Sequence, residues 1–173
     1  KIGTQYPPYI IAEMSNNHLN DIERVFELIH CAKESGVDAL KIQTYTPDSL
    51  TIDCDKKDFV IQNDLWKGNT YYNLYKEISM PLSWNKLIFD KARKMGVTVF
   101  SSPFDESTVD LLEDLNTPAY KVASCEAKDP VLVKKIASTG KPVIISTGVS
   151  TFDEIMETIQ ICKDEGNNNV AVL

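Results

Sequence analysis

Short apolar runs and helical patterns alternate along this chain, and polar residues close each apolar run. The runs have the length of buried strands. Between them, apolar residues recur three or four positions apart, as Val25, Ile29 and Ala32 do in a helix predicted from Asp21 to Ser35. This order predicts a parallel α/β fold. The predicted strands are Tyr9 to Met14, Ala39 to Thr44, Val97 to Ser101, Ala119 to Ser124 and Pro142 to Thr147, with a sixth opening at Val170 to Leu173.

Cap and stop residues bound the predicted helices. Asp129 with Pro130 directly after it marks one N-terminus, and Thr151 with Glu154 at capping-box spacing marks another. Glycines end several of the helical patterns. The remaining boundaries are Gly36 after the first helix, Ser83 to about Gly96 for the next, about Glu106 to Leu115, and Gly140 after the helix that Pro130 opens.

The number of strands and their polar ends favour part of a barrel. A (β/α)8 TIM barrel needs about 250 residues and eight strands, whereas these 173 residues supply five β/α units and the start of strand six. The alternative is a complete open, doubly wound sheet. Such a sheet usually has a glycine-rich loop after its first strand, where this chain has MSNNHLND. We therefore predict that residues 1–173 are the N-terminal portion of a TIM-barrel catalytic domain, because all five strand ends carry reactive groups.

A long excursion from Tyr45 to Met80 interrupts the alternation. Excursions of this size in a compact domain are typically lids or binding loops. Its aromatic residues, from Trp66 to Tyr75, are interpreted either as a small satellite core or as a wall that faces a sugar, with the core favoured.

Charge and hydropathy exclude some classes of function. The net charge is −7 and the pI is near 4.8, which argues against nucleic acid as the main partner. No apolar stretch approaches the roughly 18 residues that span a bilayer, so no membrane partner is expected. A cytoplasmic location fits these features.

The cysteines and histidines do not predict a metal centre. Four cysteines lack paired spacing; Cys31 and Cys162 fall in helical patterns and are predicted to be packed thiols, while Cys125 at a strand end could be reactive. His18 either touches substrate or is solvated, and His30 is predicted to be structural. With two histidines and no cysteine cluster, we expect no complete metal site within this stretch.

Two lysines interrupt otherwise apolar strands. Lys41 and Lys121 either form structural ion pairs with Glu13 or Glu126, or face a phosphate or carboxylate of a substrate. The substrate interpretation is favoured because hydroxyl groups recur at the same sheet end. Glu13 and Glu126 are candidate acid/base groups, since carboxylates beside lysines in a partly dry pocket can be tuned in either direction. The hydroxyl candidates are Ser101, Ser102, Ser124, Ser146 and Thr147.

Five segments, in this order, resemble the sialic acid synthase family: IGTQYPPYIIAEMSNNH, DALKIQTYTPDSLT, VFSSPFD, YKVASCE and KPVIISTG. The similarity spans essentially the whole chain. The segment LWKGNTYYNLYKEISMPLSW is most similar to the pseudaminic acid synthase branch, although Tyr72 replaces the first leucine of that branch's Leu-Tyr-x-Leu-Tyr pattern. Members condense phosphoenolpyruvate with an N-acetylated hexosamine to give a nonulosonic acid and phosphate. They are (β/α)8 barrels with a C-terminal antifreeze-like domain, and they form homodimers.

The resemblance also implies roles for matched positions. Glu13 and Gln43 would face the amino sugar or a metal-bound water, and Glu126 would position a lysine or move a proton. The family's divalent metal, Mn²⁺ or Mg²⁺, is held by histidines on later strands, so no metal ligand is assigned in this chain. The phosphoenolpyruvate site would consist of Lys41, Lys121, Ser102, Ser124 and Ser146, with Asn69 a weaker match.

Other functions remain open at this point. The product could be N-acetylneuraminate or legionaminic acid rather than pseudaminic acid. A lysine on a barrel strand also suits a Schiff-base aldolase or lyase. A third interpretation is that the chain alone is only an interaction or structural piece. Because the family's metal ligands lie beyond it, we predict that the chain by itself is inactive.

Overall fold

Across residues 2–62 and 64–173, which the computed structural model describes, six parallel strands form one sheet. Each strand pairs with the next along the chain, in the order β1-β2-β3-β4-β5-β6. A doubly wound sheet reverses direction at a switch point, so that alternative is wrong and the partial barrel is confirmed. The strands are β1 (Ile11–Glu13), β2 (Ala39–Thr44), β3 (Val99–Pro103), β4 (Tyr120–Val122), β5 (Val143–Ile145) and β6 (Val170–Val172).

The helices begin largely where their cap residues predict. Asp129 accepts from the backbone N–H groups of Val131 and Leu132, and Thr151 and Glu154 form the predicted capping box. Ser83 is an exception, because its backbone is helical and its side chain makes no cap bond. The helices are α1 (Ile22–Glu34), α2 (Pro47–Leu50), α3 (Tyr71–Ile78), α4 (Trp84–Met95), α5 (Glu106–Asp114), α6 (Pro130–Ser138) and α7 (Phe152–Asp164), with single 3₁₀ turns at Lys57–Phe59, Asp64–Trp66 and Glu126–Lys128.

The predicted strand boundaries needed correction. The third strand starts two residues later than predicted and runs on to Pro103. Val97 is not part of it, because its N–H bonds to the carbonyl of Ala92 and closes the end of α4, with Gly96 in the left-handed conformation at φ 67°. Strands β1, β4 and β5 are each three residues long, shorter than predicted, and α2 was not predicted.

The two faces of the sheet differ in what covers them. One face packs on the helices and forms the large core, with Leu40, Ile42 and Tyr120 buried among helix residues. The other face, called here the inner face, carries a smaller apolar cluster of Ala39, Phe100 and Ile144 with strand neighbours. Because strand side chains alternate between faces, every second residue of each strand belongs to the inner face, which a closed barrel would enclose.

Several predictions about single residues are decided by burial. Cys162 is fully buried, as predicted, but Cys31 is exposed, because α1 buries Val25, Ile29 and Ala32 and turns Cys31 away. The solvated interpretation of His18 is wrong, since the residue is 2% exposed. None of the helices in the described part of the chain is both long and apolar enough to cross a membrane.

Candidate functional site

Polar side chains occupy the C-terminal half of the inner face. Register pairs Glu13 with Lys41 and Gln43 with Ser102, and paired residues of parallel strands share a face. Lys121 pairs with Ile144 of the inner cluster, and Ser146 lies two residues beyond Ile144. Six of the predicted site residues therefore share one end of one face: Glu13, Lys41, Gln43, Ser102, Lys121 and Ser146.

Lys41 forms an ion pair with Glu13, in agreement with the structural interpretation of this pair. The Lys41 side chain is 16% exposed and the Glu13 side chain 37%. Glu13 also accepts a hydrogen bond from the N–H of Ser15 at 2.9 Å, through its other carboxylate oxygen. The pair thus stays accessible at the strand ends, where a ligand's charges could compete for either partner.

Lys121 is held differently. Its Nζ donates to the carbonyl oxygen of Val122 and to Ser146 Oγ, both at 2.6 Å. These partners are neutral, and the residue is only 7% exposed. Burial, and then the Lys41 cation, lower the pKa of Lys121 to about 8, against the opposing effect of Glu13 and Glu126. Among residues 2–62 and 64–173 this ammonium has no directly bonded carboxylate, and an anionic ligand would supply one.

Glu126 follows β4 in a short 3₁₀ turn and is half-buried. Burial raises its pKa, with Asp129 adding to the effect and Lys121 opposing it. A carboxyl group with a raised pKa can hold a proton nearer to neutral pH than an ordinary glutamate, as a general acid or base requires.

The remaining predicted site residues lie in loops at the same sheet end or in the excursion. Ser124 Oγ accepts from the N–H of Gly148 at 3.3 Å, which links the loops after β4 and β5. Thr147 Oγ1 donates to the carbonyl of Leu173 at 2.7 Å, so this hydroxyl ties β5 to β6. Asn69 lies just before α3, and its Oδ1 accepts from the N–H of Thr70.

Ser101 is not part of this arrangement. It directly precedes Ser102, so the two side chains point to opposite faces. Ser101 is fully buried on the helix side, where it hydrogen-bonds with Thr44. The prediction that Ser101 belongs to the anion-binding hydroxyls is therefore wrong. Strict alternation along β3 was the signal that separates the two serines.

The excursion folds back over the strand ends. Tyr45 is 5% exposed. The centroid of its ring lies 6.4 Å from that of Tyr75 in α3 and 5.5 Å from that of Phe104 after β3, and both contacts are edge-on. Burial raises the pKa of Tyr75, and Tyr71, Cys125 and Glu126 add to the rise. Tyr45 and Tyr75 thus fit the satellite-core interpretation, whereas Trp66 is 48% exposed.

The loop after β1 carries an unusual backbone and is tied to the excursion. Ser15, Leu19 and Asn20 have positive φ angles of 49°, 48° and 55°, a region that non-glycine residues rarely adopt. Asn20 Nδ2 donates to the carbonyl of Glu77 in α3 at 2.6 Å. His18 packs edge-on against Trp84, and burial lowers its pKa.

The donor set of the described residues does not fit a resident metal. Within 2–62 and 64–173, no group of three or more His, Cys, Asp and Glu side chains is arranged to hold an ion. The acidic groups of the site, Glu13 and Glu126, are accompanied by lysines, which disfavour a cation.

A cavity of about 610 Å³ opens at the other end of the inner face. Its lining is mostly apolar and includes Tyr9, Phe100, Ala119 and Ile144. It lies at the N-terminal ends of the strands. Catalytic groups of parallel barrels gather at the C-terminal ends, so this cavity is distinct from the candidate site.

Comparisons with known proteins agree on one group. The sequence matches the NeuB family over residues 28–173. Pseudaminic acid synthase from Helicobacter pylori is 42% identical over 96% of this chain and 49% of that protein. The enzyme of the same name from Campylobacter jejuni is 44% identical over 99% of this chain and 50% of its own length. The chain spans about half the length of the curated relatives that it matches.

Solved structures show the same fold. The N-acetylneuraminic acid synthetase of Leptospira borgpetersenii superposes with a TM-score of 0.84 at 23% identity, covering 99% of this chain and 57% of that one. The spore coat polysaccharide biosynthesis protein SpsE of Bacillus subtilis superposes with a TM-score of 0.78 at 30% identity, covering 99% of this chain and 44% of that one. At 23% identity the first likeness concerns the fold alone.

Proposed function

The chain belongs to the NeuB family, and from this premise we propose that it forms the N-terminal part of the barrel of an enzyme that condenses phosphoenolpyruvate with an N-acetylated hexosamine-type sugar. The product is a nonulosonic acid, and the pseudaminic branch is favoured because synthases of that name are 42–44% identical to this chain. We call the longer protein that would contain this chain the complete enzyme. The existence of such a longer protein is supported by relatives that are about twice as long as this chain.

One observation supports this function most strongly: Lys121 is a buried ammonium to which no carboxylate in the described part of the chain is directly bonded, and it lies near a second lysine and several hydroxyls. Phosphoenolpyruvate carries a phosphate and a carboxylate, so it can satisfy two cations at once. In this proposal Lys41 exchanges its partner Glu13 for the ligand, and Lys121 gains its missing counter-charge. Serine hydroxyls bond the remaining oxygens without adding charge. The proposed substrate-binding residues are Gln43, Asn69, Ser102, Ser124, Ser146 and Thr147.

The reaction can be written with all atoms accounted for. C3 of phosphoenolpyruvate attacks the aldehyde carbon of the open-chain sugar and forms the new C–C bond, while the aldehyde oxygen takes up a proton. Water adds to the electron-poor C2 and loses a proton. The C2–O bond to phosphate then breaks, and the C2 hydroxyl passes its proton to the departing phosphate, which leaves a keto acid and inorganic phosphate. Glu126, with its raised pKa, and Glu13 are the proposed proton-transfer groups.

The proposal includes a divalent metal, Mn²⁺ or Mg²⁺, in the complete enzyme. The described residues do not offer a set of ligands for it, so its ligands would come from outside this chain. We also propose a cytoplasmic homodimer, on the family resemblance. Light scattering on the complete enzyme tests the dimer.

The decisive experiment measures phosphate release from phosphoenolpyruvate by the complete enzyme with Mn²⁺. N-acetylmannosamine is compared with a 2,4-diacetamido-2,4,6-trideoxyhexose. Release only with the trideoxy sugar supports the pseudaminic branch. Release with N-acetylmannosamine makes the enzyme an N-acetylneuraminate synthase, and release with neither sugar contradicts the proposal.

A Schiff-base aldolase or lyase is the second candidate. The lowered pKa of Lys121, about 8, favours it, because a neutral amine is the form that attacks a keto acid. Against it, the Lys121 Nζ donates two short hydrogen bonds that orient it toward neutral acceptors. We expect no covalent trapping when borohydride is added with a keto acid. Labelling of Lys121, located by mass spectrometry, would establish the imine mechanism instead.

A further inference from the structure

A chain of buried hydrogen bonds lies on the helix side of the sheet, directly behind the candidate site. Thr44 Oγ1 on β2 donates to Asn85 Oδ1 on α4 at 2.7 Å, and it lies 2.7 Å from Ser101 Oγ on β3. The exposed fractions are 0% for Asn85, 1% for Thr44 and 0% for Ser101. The three side chains therefore link two strands and one helix inside the large core. We call them the Thr44–Asn85–Ser101 network.

The direction of each hydrogen bond is settled by chemistry. Asn85 Nδ2 donates to the carbonyl of Leu82 at 3.0 Å, so the amide oxygen must face Thr44. The Thr44 hydroxyl gives its one proton to Asn85 and accepts from Ser101. Breaking one such bond strands a buried polar group, which costs more than the bond itself contributes.

The network lies at the end of the β2–β3 ladder. Thr44 pairs in register with Pro103, the last residue of β3, and the next backbone N–H, that of Phe104, donates to Thr108 Oγ1 on α5. The side-chain bonds from Thr44 to Ser101 and Asn85 join the strands at this place.

Two proposed substrate-binding residues alternate with the network along the chain. Gln43 directly precedes Thr44, Ser102 directly follows Ser101, and these two residues pair in register on the inner face. A shift of Thr44 or Ser101 must move Gln43 and Ser102, because each is one peptide unit away. The distance between the network and the site is thus one strand thickness.

From this geometry we propose that the network, with Asn85 as its anchor on α4, is a positioning device that sets the separation of Gln43 and Ser102. The proposal rests on the proposed function, since those two residues are its substrate contacts. Asn85, Thr44 and Ser101 are positioning residues and do not touch substrate themselves. The inner face could not be held this way from its own side without filling the site.

The test uses the complete enzyme with three substitutions. Thr44→Val keeps the shape and removes the hydroxyl, Thr44→Ser keeps the hydroxyl, and Thr117→Val is the matched control. Thr117 is also a fully buried threonine, but its Oγ1 bonds to the carbonyl of Ala119 at the N-terminal end of β4, away from the site. KM for phosphoenolpyruvate, kcat and the melting temperature are measured for each.

We expect Thr44→Val to raise KM for phosphoenolpyruvate about 10-fold, because small misplacements of binding groups have large effects. Thr44→Ser, which keeps the hydroxyl, should have a KM within about twofold of the wild type. Thr117→Val should lower the melting temperature without changing KM. A merely structural role would lower stability and the active fraction equally in Thr44→Val and Thr117→Val. Unchanged KM in Thr44→Val would therefore overturn the proposal.

A variant that fails to fold and a wild type that is inactive each require a second measurement. If Thr44→Val does not fold, Ser101→Ala is measured by the same criteria, and failure of both to fold assigns the network to stability alone. If the wild type releases no phosphate, the proposed function fails, and calorimetric titration with phosphoenolpyruvate decides the positioning: about 10-fold weaker binding to Thr44→Val retains it, and equal binding overturns it. A wild type that does not bind phosphoenolpyruvate overturns both.

Discussion

Lys121 is the residue whose chemistry the fold alters most. Burial and the neighbouring Lys41 lower its pKa from 10.5 to about 8. The folded state therefore gives up this proton at a lower pH than the unfolded state does. Below about pH 8 the buried charge opposes folding, and between about pH 8 and 10.5 stability should rise as the folded form becomes neutral. A buried charge that opposes folding fits a role in binding an anion.

Substituting Lys121→Met in the complete enzyme tests this cost. At pH 7 we expect a melting temperature higher by about 3 °C and loss of phosphoenolpyruvate binding. The stabilisation should shrink as the pH approaches 10.5, because the folded lysine is then neutral and the unfolded lysine also begins to lose its proton. Thermal unfolding at pH 7 and 9.5 measures it. Lys56→Met, at an exposed position, is the control and should change neither property.

The two strand lysines show which properties of a single residue the sequence pattern can predict. The sequence pattern singles out Lys41 and Lys121, because an ammonium in an apolar strand is unusual in any parallel fold. The sequence left the partner of each lysine open between Glu13, Glu126 and a substrate anion. Lys41 pairs with Glu13, whereas Lys121 bonds to Ser146 and a backbone carbonyl. The choice depends on register between strands that are far apart in sequence.

At the scale of elements, the capping box at the start of α7 also changes the pKa of one of its residues, Glu154. Glu154 accepts from the N–H of Thr151 at 2.7 Å and pairs with Lys128 at 3.0 Å. The backbone bond first, and then Lys128, lower the pKa of Glu154 from 4.5 to about 2. A depressed carboxyl pKa stabilises the fold above about pH 4.5, and this stabilisation is lost as the pH falls towards 2.

We therefore expect Glu154→Gln to lower the melting temperature slightly at pH 7 and progressively less towards pH 2. Glutamine can still accept the cap bond, so the pH-dependent part isolates the charge. Glu157→Gln, exposed on the same helix, should show little pH-dependent difference. The measurement is thermal unfolding by circular dichroism at pH 7, 4 and 2.5. A difference between Glu154→Gln and the wild type that is constant over this range would contradict the assignment.

The sequence pattern locates the excursion along the chain but does not predict which parts of the fold it packs against. Its contact with the loop after β1 runs through Asn20, whose Nδ2 donates to the carbonyl of Glu77. Asn20 has a φ of 55°, so glycine at this position removes the amide without backbone strain.

Asn20→Gly should loosen the C-terminal turn of α3 and raise its amide exchange about 10-fold, which hydrogen–deuterium exchange with mass spectrometry can measure. The control is Asn116→Gly, at φ 51° beyond the end of α5. That variant should leave exchange in α3 unchanged. Equal exchange in the wild type and Asn20→Gly would show that the aromatic contacts of Tyr45 and Tyr75 hold α3 without the loop.

At the scale of the whole molecule, six strands of a curved sheet leave the inner face uncovered by helices. The proposed site lies on that face, and the described residues offer no metal-ligand set. The complete enzyme would add the missing wall and ligands. This chain by itself should therefore lack turnover.

The prediction is that the 173-residue chain releases no phosphate above background from phosphoenolpyruvate with either amino sugar and Mn²⁺. The complete enzyme, assayed alongside, is the positive control. Circular dichroism on the chain establishes that it is folded before the assay is interpreted. Turnover by the folded chain would mean that the residues described here are sufficient for the reaction.

The sequence by itself determined the order and type of the main elements and most of the helix caps, and it predicted the end of the sheet at which the proposed site residues lie. These features depend on neighbours within a few residues, or on the rule that parallel strand ends meet at one edge. Only the tertiary structure decided that Ser101 and Cys31 do not have the predicted roles, that Lys121 bonds to Ser146 and a backbone carbonyl, and that Asn85 accepts from Thr44. Those outcomes depend on strand register, helix rotation and burial. These are set by packing between segments that are distant along the chain.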